Sequence, residues 1–201
     1  MHHGTVDADQ VAQLRILLGS SSWLRQARSF ARALRGPAAR SPGGLLIVGT
    51  PAEEPWHLAA HLDQESRLAG IPRLAPTLVR WTPPPDAPPH LRVGLARLEQ
   101  ARRGDTLFVV SPEAAPCPLL DRVHDARRAG ATILAMDQGD PELDDMAHEY
   151  LNVAPGLAPV SFAAAEHLVS AAAGEGDPSR TGLRARLARL LDAVSGPRPE
   201  G

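Results

Sequence analysis

Short apolar runs alternate with longer amphipathic stretches along most of the chain. The mostly apolar runs lie at 45–48, 76–81, 106–110, 131–136 and 150–153. Runs of this length with few polar interruptions are typical of strands that are buried on both faces of a parallel sheet. The pattern therefore predicts five strands.

The stretches between these runs carry apolar residues at the three- and four-residue spacing of helices. This spacing predicts helices over 11–34, 52–69, 91–102, 119–129, 141–148, 161–173 and 183–194. A Gly-Ser-Ser-Ser segment at 19–22 interrupts the first of them, and Ser22 is a suitable cap for its second half. Strands that alternate with helices predict an α/β fold. We expect a doubly wound, five-stranded parallel sheet of the Rossmann-like or flavodoxin-like kind, with helices on both faces.

The chain of 201 residues is long enough for one well-buried core and short for two. We expect a single domain over 1–173 that includes the N-terminal helices. Residues 174–201 are expected to form a Gly-rich linker, an amphipathic C-terminal helix and a disordered Pro/Gly-rich tail.

Charge and composition make several classes of protein unlikely candidates on physical grounds. The formal net charge of −2 gives no global basic field, so neither nucleic acid nor a membrane is expected as a partner. The start of the chain has no basic and apolar segments of the kind that secretion signals carry. Every basic residue is arginine, which rules out Schiff-base or Walker-type lysine chemistry. The one cysteine, Cys117, cannot form an internal disulfide, so we expect a cytoplasmic location.

Several of these segments resemble the sugar isomerase (SIS) domain family. The stretch RGDTLFVVS at 103–111 and the stretch GATILA at 130–135 resemble the second half of an SIS domain. The strand GLLIVG at 44–49 and the segment HLAAHL at 57–62 resemble the first half, most closely in the phosphoheptose isomerase branch. The resemblance covers about residues 30–173. It implies a ligand site beyond the carboxyl ends of the strands, and a homodimer.

The resemblance also locates two phosphate-binding loops, and both are altered here. Members that bind sugar phosphates carry a loop like STSGNS after the third strand, where this chain has SPEAAP at 111–116. Only Ser111 keeps its hydroxyl, prolines at 112, 116 and 118 lack an N–H donor, and Glu113 adds a negative charge. The first loop, GTPAEE at 49–54, is shorter than the family's and more acidic. The predicted ligand-binding residues are Gly49, Thr50, Glu53, Ser111 and Glu113. Alternatively, Glu53 simply complements the dipole in the first turn of the following helix, as Glu54 would.

One face of the predicted 52–69 helix carries Glu53, His57, His61 and Glu65 at four-residue spacing. Two histidines at this spacing can bind one metal ion. In the phosphoheptose isomerases that this segment resembles, the position of His57 is a zinc ligand and that of His61 is a catalytic glutamate. The resemblance thus makes zinc the candidate cofactor, with His57, His61 and His167 as candidate ligands. Alternatively, these histidines are polar residues on a solvated or subunit-facing surface.

Two functions follow from these patterns. The first is a catalytically degenerate SIS-like protein, or pseudoenzyme, that binds a small carbohydrate-derived ligand or a protein partner in a regulatory or structural role. The second is a metal-dependent sugar-phosphate isomerase of the phosphoheptose type. In that case the isomerase would use His57 and His61, and Glu53 or Glu113 would replace the missing glutamate base. His61 and Glu113 are the candidate catalytic residues.

Overall fold

A computed structural model describes residues 22–35, 43–88, 91–156, 158 and 160–174. The first half of the predicted N-terminal helix and the predicted helix over 183–194 lie outside these residues. None of the helices within the described ranges is long and apolar enough to cross a membrane.

The described helices and strands alternate as the sequence pattern predicts. The helices are α1 (Ser22–Arg35), α2 (Trp56–Ala69), α3 (Cys117–Arg128), α4 (Pro141–Met146) and α5 (Phe162–Gly174). The strands are β1 (Leu45–Val48), β2 (Pro76–Val79), β3 (Thr106–Ser111), β4 (Thr132–Asp137) and β5 (Glu149–Asn152). Short 3-10 helices occupy Pro72–Leu74 and Leu95–Gln100.

The five strands form one parallel sheet in the order β2-β1-β3-β4-β5, which confirms the predicted α/β fold. The strand β2 lies at the edge on one side of β1, and the chain then crosses over to add β3, β4 and β5 in turn on the other side. This reversal places a topological switch between β1 and β3, where open α/β sheets bind their ligands. Val48 at the end of β1 is in register with both Val79 and Val109, so the loops after these three strands leave the same edge of the sheet.

Helices cover both faces of the sheet because side chains along each strand alternate between two apolar layers. The layer with α1, α2 and α5 contains Ile47 and Phe108, and the Phe30 ring packs edge-on against Phe108 with centroids 5.2 Å apart. The layer with α3, α4 and the Leu95–Gln100 turn contains Leu46 and Leu107. The central strands β1, β3 and β4 are therefore almost entirely buried, whereas the edge strands β2 and β5 are partly exposed.

The predicted helix over 91–102 is wrong, because this segment forms only the 3-10 helix Leu95–Gln100. Residues 93 and 94 lie beside the end of β2 instead, where the Arg80 amide donates a 2.8 Å hydrogen bond to the Val93 carbonyl. Gly94 is fully extended at φ −97° and ψ 178°, which prevents a helix from starting earlier. Helical spacing alone does not reveal this contact with a distant strand.

For the helix predicted over 52–69, the predicted start is also wrong, since α2 begins at Trp56 after Pro55. A turn closes before it, in which the Thr50 amide donates to the Glu53 carbonyl at 3.0 Å. Glu53 and Glu54 therefore precede α2, so the expectation that they lie in its first turn does not hold. The strand predicted over 76–81 likewise ends at Val79.

Candidate functional site

The loop after β1 (residues 49–55, the β1–α2 loop) is folded tightly on itself at the carboxyl edge of the sheet. The fully buried Thr50 hydroxyl accepts a 3.2 Å hydrogen bond from the Glu53 amide. A Cβ atom on Gly49 would lie 2.1 Å from the Glu53 carbonyl oxygen, so the turn leaves room only for glycine. Of the predicted residues, Gly49, Thr50 and Glu53 are thus brought together by one turn.

The loop after β3 (residues 112–116, the β3–α3 loop) binds its own polar groups. The buried Ser111 hydroxyl donates a 2.6 Å hydrogen bond to the carbonyl oxygen of Glu113. The Ala115 amide donates at 2.8 Å to Oδ2 of Asp140, which precedes α4. Both donors are therefore occupied by acceptors from the same chain.

A single side chain joins the two loops. The Thr50 hydroxyl donates a 2.9 Å hydrogen bond to Oε1 of Glu113, whose residue is otherwise exposed. The structure thereby brings Thr50, Ser111 and Glu113 into one cluster, as the positions of the strand ends predict. The carboxylate of Glu113 accepts from a hydroxyl that would otherwise be free to hold a ligand.

The start of α3 offers few donors to an anion. Helix N-termini bind phosphate through unpaired backbone N–H groups. Here Pro116 and Pro118 have none, and the Leu119 amide already donates to the Pro116 carbonyl at 2.8 Å. Cys117 lies exposed at the first position of the helix as a free thiol.

Beside the β1–α2 loop lies an ion pair that the sequence analysis missed. Arg80, just beyond β2, contacts Oε2 of Glu54 through Nε and Nη2, both at 2.9 Å, and both side chains are only 16% exposed. The Trp56 indole donates to the same oxygen at 3.0 Å, and the guanidinium lies 4.4 Å from the centre of the indole ring. The position of Arg80 at the end of a predicted strand could have indicated a site residue. Nothing in the sequence showed that Glu54 neutralises the charge of Arg80.

The candidate metal ligands lie on α2 and α5. The rings of His61 and His167 meet edge to face, with centroids 4.4 Å apart, whereas His57 is exposed. Burial lowers the pKa of His167 below its usual value, and the neighbouring His61 and His57 lower it further. His167 is therefore neutral at pH 7.

Glu166, which was absent from the predicted set, carries an unusual carboxyl group next to these histidines. Burial, together with the nearby charge of Glu53, raises the pKa of this carboxyl group to about 7. The interaction connects α5 to the β1–α2 loop. The Glu166 carboxyl group is therefore about half ionised at pH 7, on the helix that also carries His167.

The side chains present do not form a complete zinc site within the described ranges. No group of three or more His, Cys, Asp or Glu residues there is arranged to hold a metal ion. The contact of His61 with His167 joins two of the three predicted ligands. A structural zinc site needs four ligands and a catalytic one needs three, so the donor set found falls short of both.

Comparison with known proteins connects this geometry to a fold. No family model and no curated protein sequence matches the chain. A candidate sugar-binding protein from Salmonella typhimurium LT2 superposes with a TM-score of 0.57 at 14% identity, covering 94% of this chain and 54% of that one. A candidate phosphosugar isomerase from Silicibacter pomeroyi DSS-3 gives 0.56 at 19% identity, with the same coverage of 94% and 54%. The sugar isomerase domain of an RpiR transcription factor from Sphaerobacter thermophilus gives 0.50 at 16% identity, covering 94% of this chain and 99% of that one.

The chain has the SIS fold. It spans about half the length of the first two proteins and nearly all of the isolated RpiR domain. At 14–19% identity these similarities establish the fold alone. The narrower resemblance to the phosphoheptose isomerase branch stays a prediction. At the ligand edge of this sheet, the Thr50 and Ser111 hydroxyls and the Ala115 amide are bonded to the chain's own acceptors.

Proposed function

We propose that this chain is a catalytically degenerate SIS-like protein that binds a small carbohydrate-derived ligand lacking a phosphate group, in a regulatory or structural role. The observation that carries the proposal is the use of Glu113 as an internal acceptor. Its carboxylate accepts a hydrogen bond from the Thr50 hydroxyl, and its backbone carbonyl accepts one from the Ser111 hydroxyl. The Asp140 carboxylate likewise accepts a hydrogen bond from the Ala115 amide.

A phosphate would meet both a shortage of donors and a negative charge at this position. Two like charges about 4 Å apart repel by about 4 kcal/mol at the effective dielectric constant of a protein surface. Arg80 lies beside the β1–α2 loop, but Glu54 already neutralises its charge. Displacing the internal hydrogen bonds would add to this cost because Thr50 and Ser111 are fully buried.

The same edge of the sheet suits a ligand that donates hydrogen bonds. Glu113 and Glu53 are both exposed and offer carboxylate oxygens as acceptors. Sugar hydroxyls and the ammonium group of an amino sugar are donors of the required kind. We therefore expect neutral or amine-bearing sugars to bind in preference to their phosphate esters.

A thermal-shift comparison tests this preference. Hexoses, heptoses and hexosamines would each be measured beside their own phosphate monoesters at equal concentration. A ligand at about a hundred times its Kd adds about 2.7 kcal/mol to the stability of the folded state. At this chain length that corresponds to roughly 5–10 °C in Tm. We expect such a shift from at least one unphosphorylated sugar and none from its ester, whereas turnover of a sugar phosphate would overturn the proposal.

The contact between His61 and His167 favours a second candidate, a zinc-dependent sugar-phosphate isomerase of the phosphoheptose type. The pair supplies two neighbouring imidazoles, one of them neutral at pH 7, and Glu166 next to His167 in the chain is a candidate acid or base. Isomerisation of a phosphorylated ketose to an aldose by the purified protein would establish this activity. Failure of every phosphate ester to react would leave the degenerate domain as the better account.

The first proposal also allows a protein, in place of a small molecule, as the binding partner. A cytoplasmic homodimer, with or without a separate protein partner, agrees with the free thiol of Cys117 and the half-exposed surface of α2. Light scattering of the purified chain tests the dimer. Pull-down with a Glu113→Arg variant as control tests whether a partner uses the same edge of the sheet.

A further inference from the structure

Two neighbouring carboxyl groups, the fully buried Asp137 and the partly buried Asp144, lie on the side of the sheet away from His61 and His167. Asp137 at the end of β4 is fully buried, and its Oδ1 accepts from the amides of Gly139 at 2.6 Å and Asp140 at 3.3 Å. Its Oδ2 is buried without a hydrogen-bond partner among the described residues, and so is Oδ1 of Asp144 on α4. The two carboxyl groups lie within hydrogen-bonding reach of each other.

The surroundings of this pair contain more acid than base. Asp140 and Asp145 both add negative potential at Asp144 from the same turn and helix. Arg127 of α3 approaches α4, but its guanidinium donates to the backbone carbonyl of Asp145 at 2.7 Å. On β3, the residue in register with Asp137 is the uncharged Ser111. Two ionised carboxylates would therefore repel each other here, with no described cation bonded to either.

We propose that Asp137 and Asp144 share one proton, and that this proton fastens α4 and the β3–α3 loop to the end of β4. A proton between the two groups makes one carboxyl a donor, so both orphaned oxygens gain a partner at once. Pairs of carboxyl groups that share a site retain one proton for this reason.

The β3–α3 loop depends on this pair through Asp140. One carboxylate oxygen of Asp140 caps α4 by accepting from the amides of Glu142 at 3.1 Å and Leu143 at 3.2 Å. The other oxygen accepts from the Ala115 amide at 2.8 Å. The Asp140 amide in turn donates to Asp137. If repulsion moves α4 away from β4, the bond to Ala115 is strained, and with it the loop that carries Glu113.

The direction of the pH effect follows from the protonation of Asp144. Burial is the largest cause, and together with the charge of Asp137, a hydrogen bond to Asp137 and the charges of Asp140 and Asp145 it raises the pKa of Asp144 to about 7. The folded protein thus holds a proton between about pH 4 and pH 7 that the unfolded chain has released. The stabilisation is complete below the unfolded pKa and is lost as the pH rises through the folded one.

The test compares Tm from pH 5 to pH 8 for the wild type, Asp144→Asn and Asp145→Asn. An asparagine at 144 stays neutral and donates to Asp137, so we expect its Tm to exceed that of the wild type at pH 8 and to match it near pH 5. Asp145→Asn is the matched control, and we expect it to follow the wild type with a slightly lower midpoint. Glu166 titrates in the same range, so the test rests on the difference in Tm between the wild type and Asp144→Asn. An equal fall in Tm from pH 5 to pH 8 in both proteins would overturn the proposal.

Two further measurements keep the outcome clear. The protection factor of the Ala115 amide, corrected for the intrinsic exchange rate, should fall several-fold from pH 5 to pH 8 in the wild type but not in Asp144→Asn. Carbon NMR titration of Asp137 and Asp144 in the wild type tests the proposal even if Asp144→Asn fails to fold. Titration midpoints near pH 4 for both carboxyl groups would contradict the shared proton. A rise in wild-type Tm on adding Mg²⁺ or Ca²⁺ at pH 8 would show a cation site instead.

Discussion

The Thr50 hydroxyl donates a 2.9 Å hydrogen bond to Oε1 of Glu113, across two loops whose residues are 63 positions apart in the chain. Thr50 is fully buried, so its hydroxyl must find a partner within the protein. The partner is an anion that the chain supplies itself. The loops that the family resemblance assigns to phosphate are thus held together by a carboxylate.

Replacing Glu113 separates its charge from its role as an acceptor. Glu113→Gln keeps an oxygen for the Thr50 hydroxyl, so we expect a loss of less than about 1 kcal/mol in unfolding free energy. Glu113→Ala leaves that buried hydroxyl without its acceptor and should cost about 1–3 kcal/mol. Urea unfolding of both variants measures the difference.

The same variants report on phosphate. Removing the charge in Glu113→Gln should strengthen the binding of a sugar phosphate by at least several-fold, as measured by calorimetry, because the repulsion disappears. Binding should still be weak, because Pro112 and Pro116 lack N–H donors in both proteins. Equal binding by the wild type and the variant would show that Glu113 does not exclude phosphate.

Glycine at position 49 is required by the close approach of a backbone carbonyl. A Cβ there would lie 2.1 Å from the Glu53 oxygen and 2.6 Å from the Pro55 ring. We expect Gly49→Ala to destabilise the protein by about 2 kcal/mol or more, since the turn has no flexible side chain that can yield. Gly44→Ala is the matched control because its Cβ meets nothing within 4 Å, and its effect should stay within about 0.5 kcal/mol. Similar Tm values for the two variants would contradict the tight turn.

The sheet could be predicted from the sequence because its strands are continuous apolar runs, such as LLIV in β1 and TLFVV in β3. The cluster of Thr50, Ser111 and Glu113 could be predicted as well, since parallel strands bring their carboxyl ends to one edge. The end of β2 could not, because the bridge between Arg80 and Gly94 depends on contacts between distant segments. The pairing of Asp137 with Asp144 could not be predicted either, because an aspartate at the end of a strand or near the start of a helix is common.

The ion pair of Arg80 and Glu54 should contribute more to stability than a typical surface pair. Glu54→Gln removes the charge that balances a guanidinium whose side chain is 16% exposed, and we expect a loss of about 2 kcal/mol. Asp63→Asn is the matched control, because the Asp63–Arg67 pair has side chains that are 38% and 75% exposed. That change should cost less than about 1 kcal/mol. Chemical unfolding at low and high salt checks both, and equal losses would show that solvent screens the Arg80 pair as well.

Zinc content separates the two candidate functions most directly. The described residues offer the His61–His167 pair but no group of three donors, so we expect protein purified without an affinity tag to contain no stoichiometric zinc. Elemental mass spectrometry would be run on the wild type beside a His57→Ala/His61→Ala variant. About one zinc per chain in the wild type, lost in the variant, would contradict the degenerate domain and favour the isomerase, because ligands on α2 would then be completed by groups beyond this pair. Absence of zinc from protein refolded with excess metal would remove the isomerase from consideration, since the imidazole of His167 is neutral at pH 7 and free to bind.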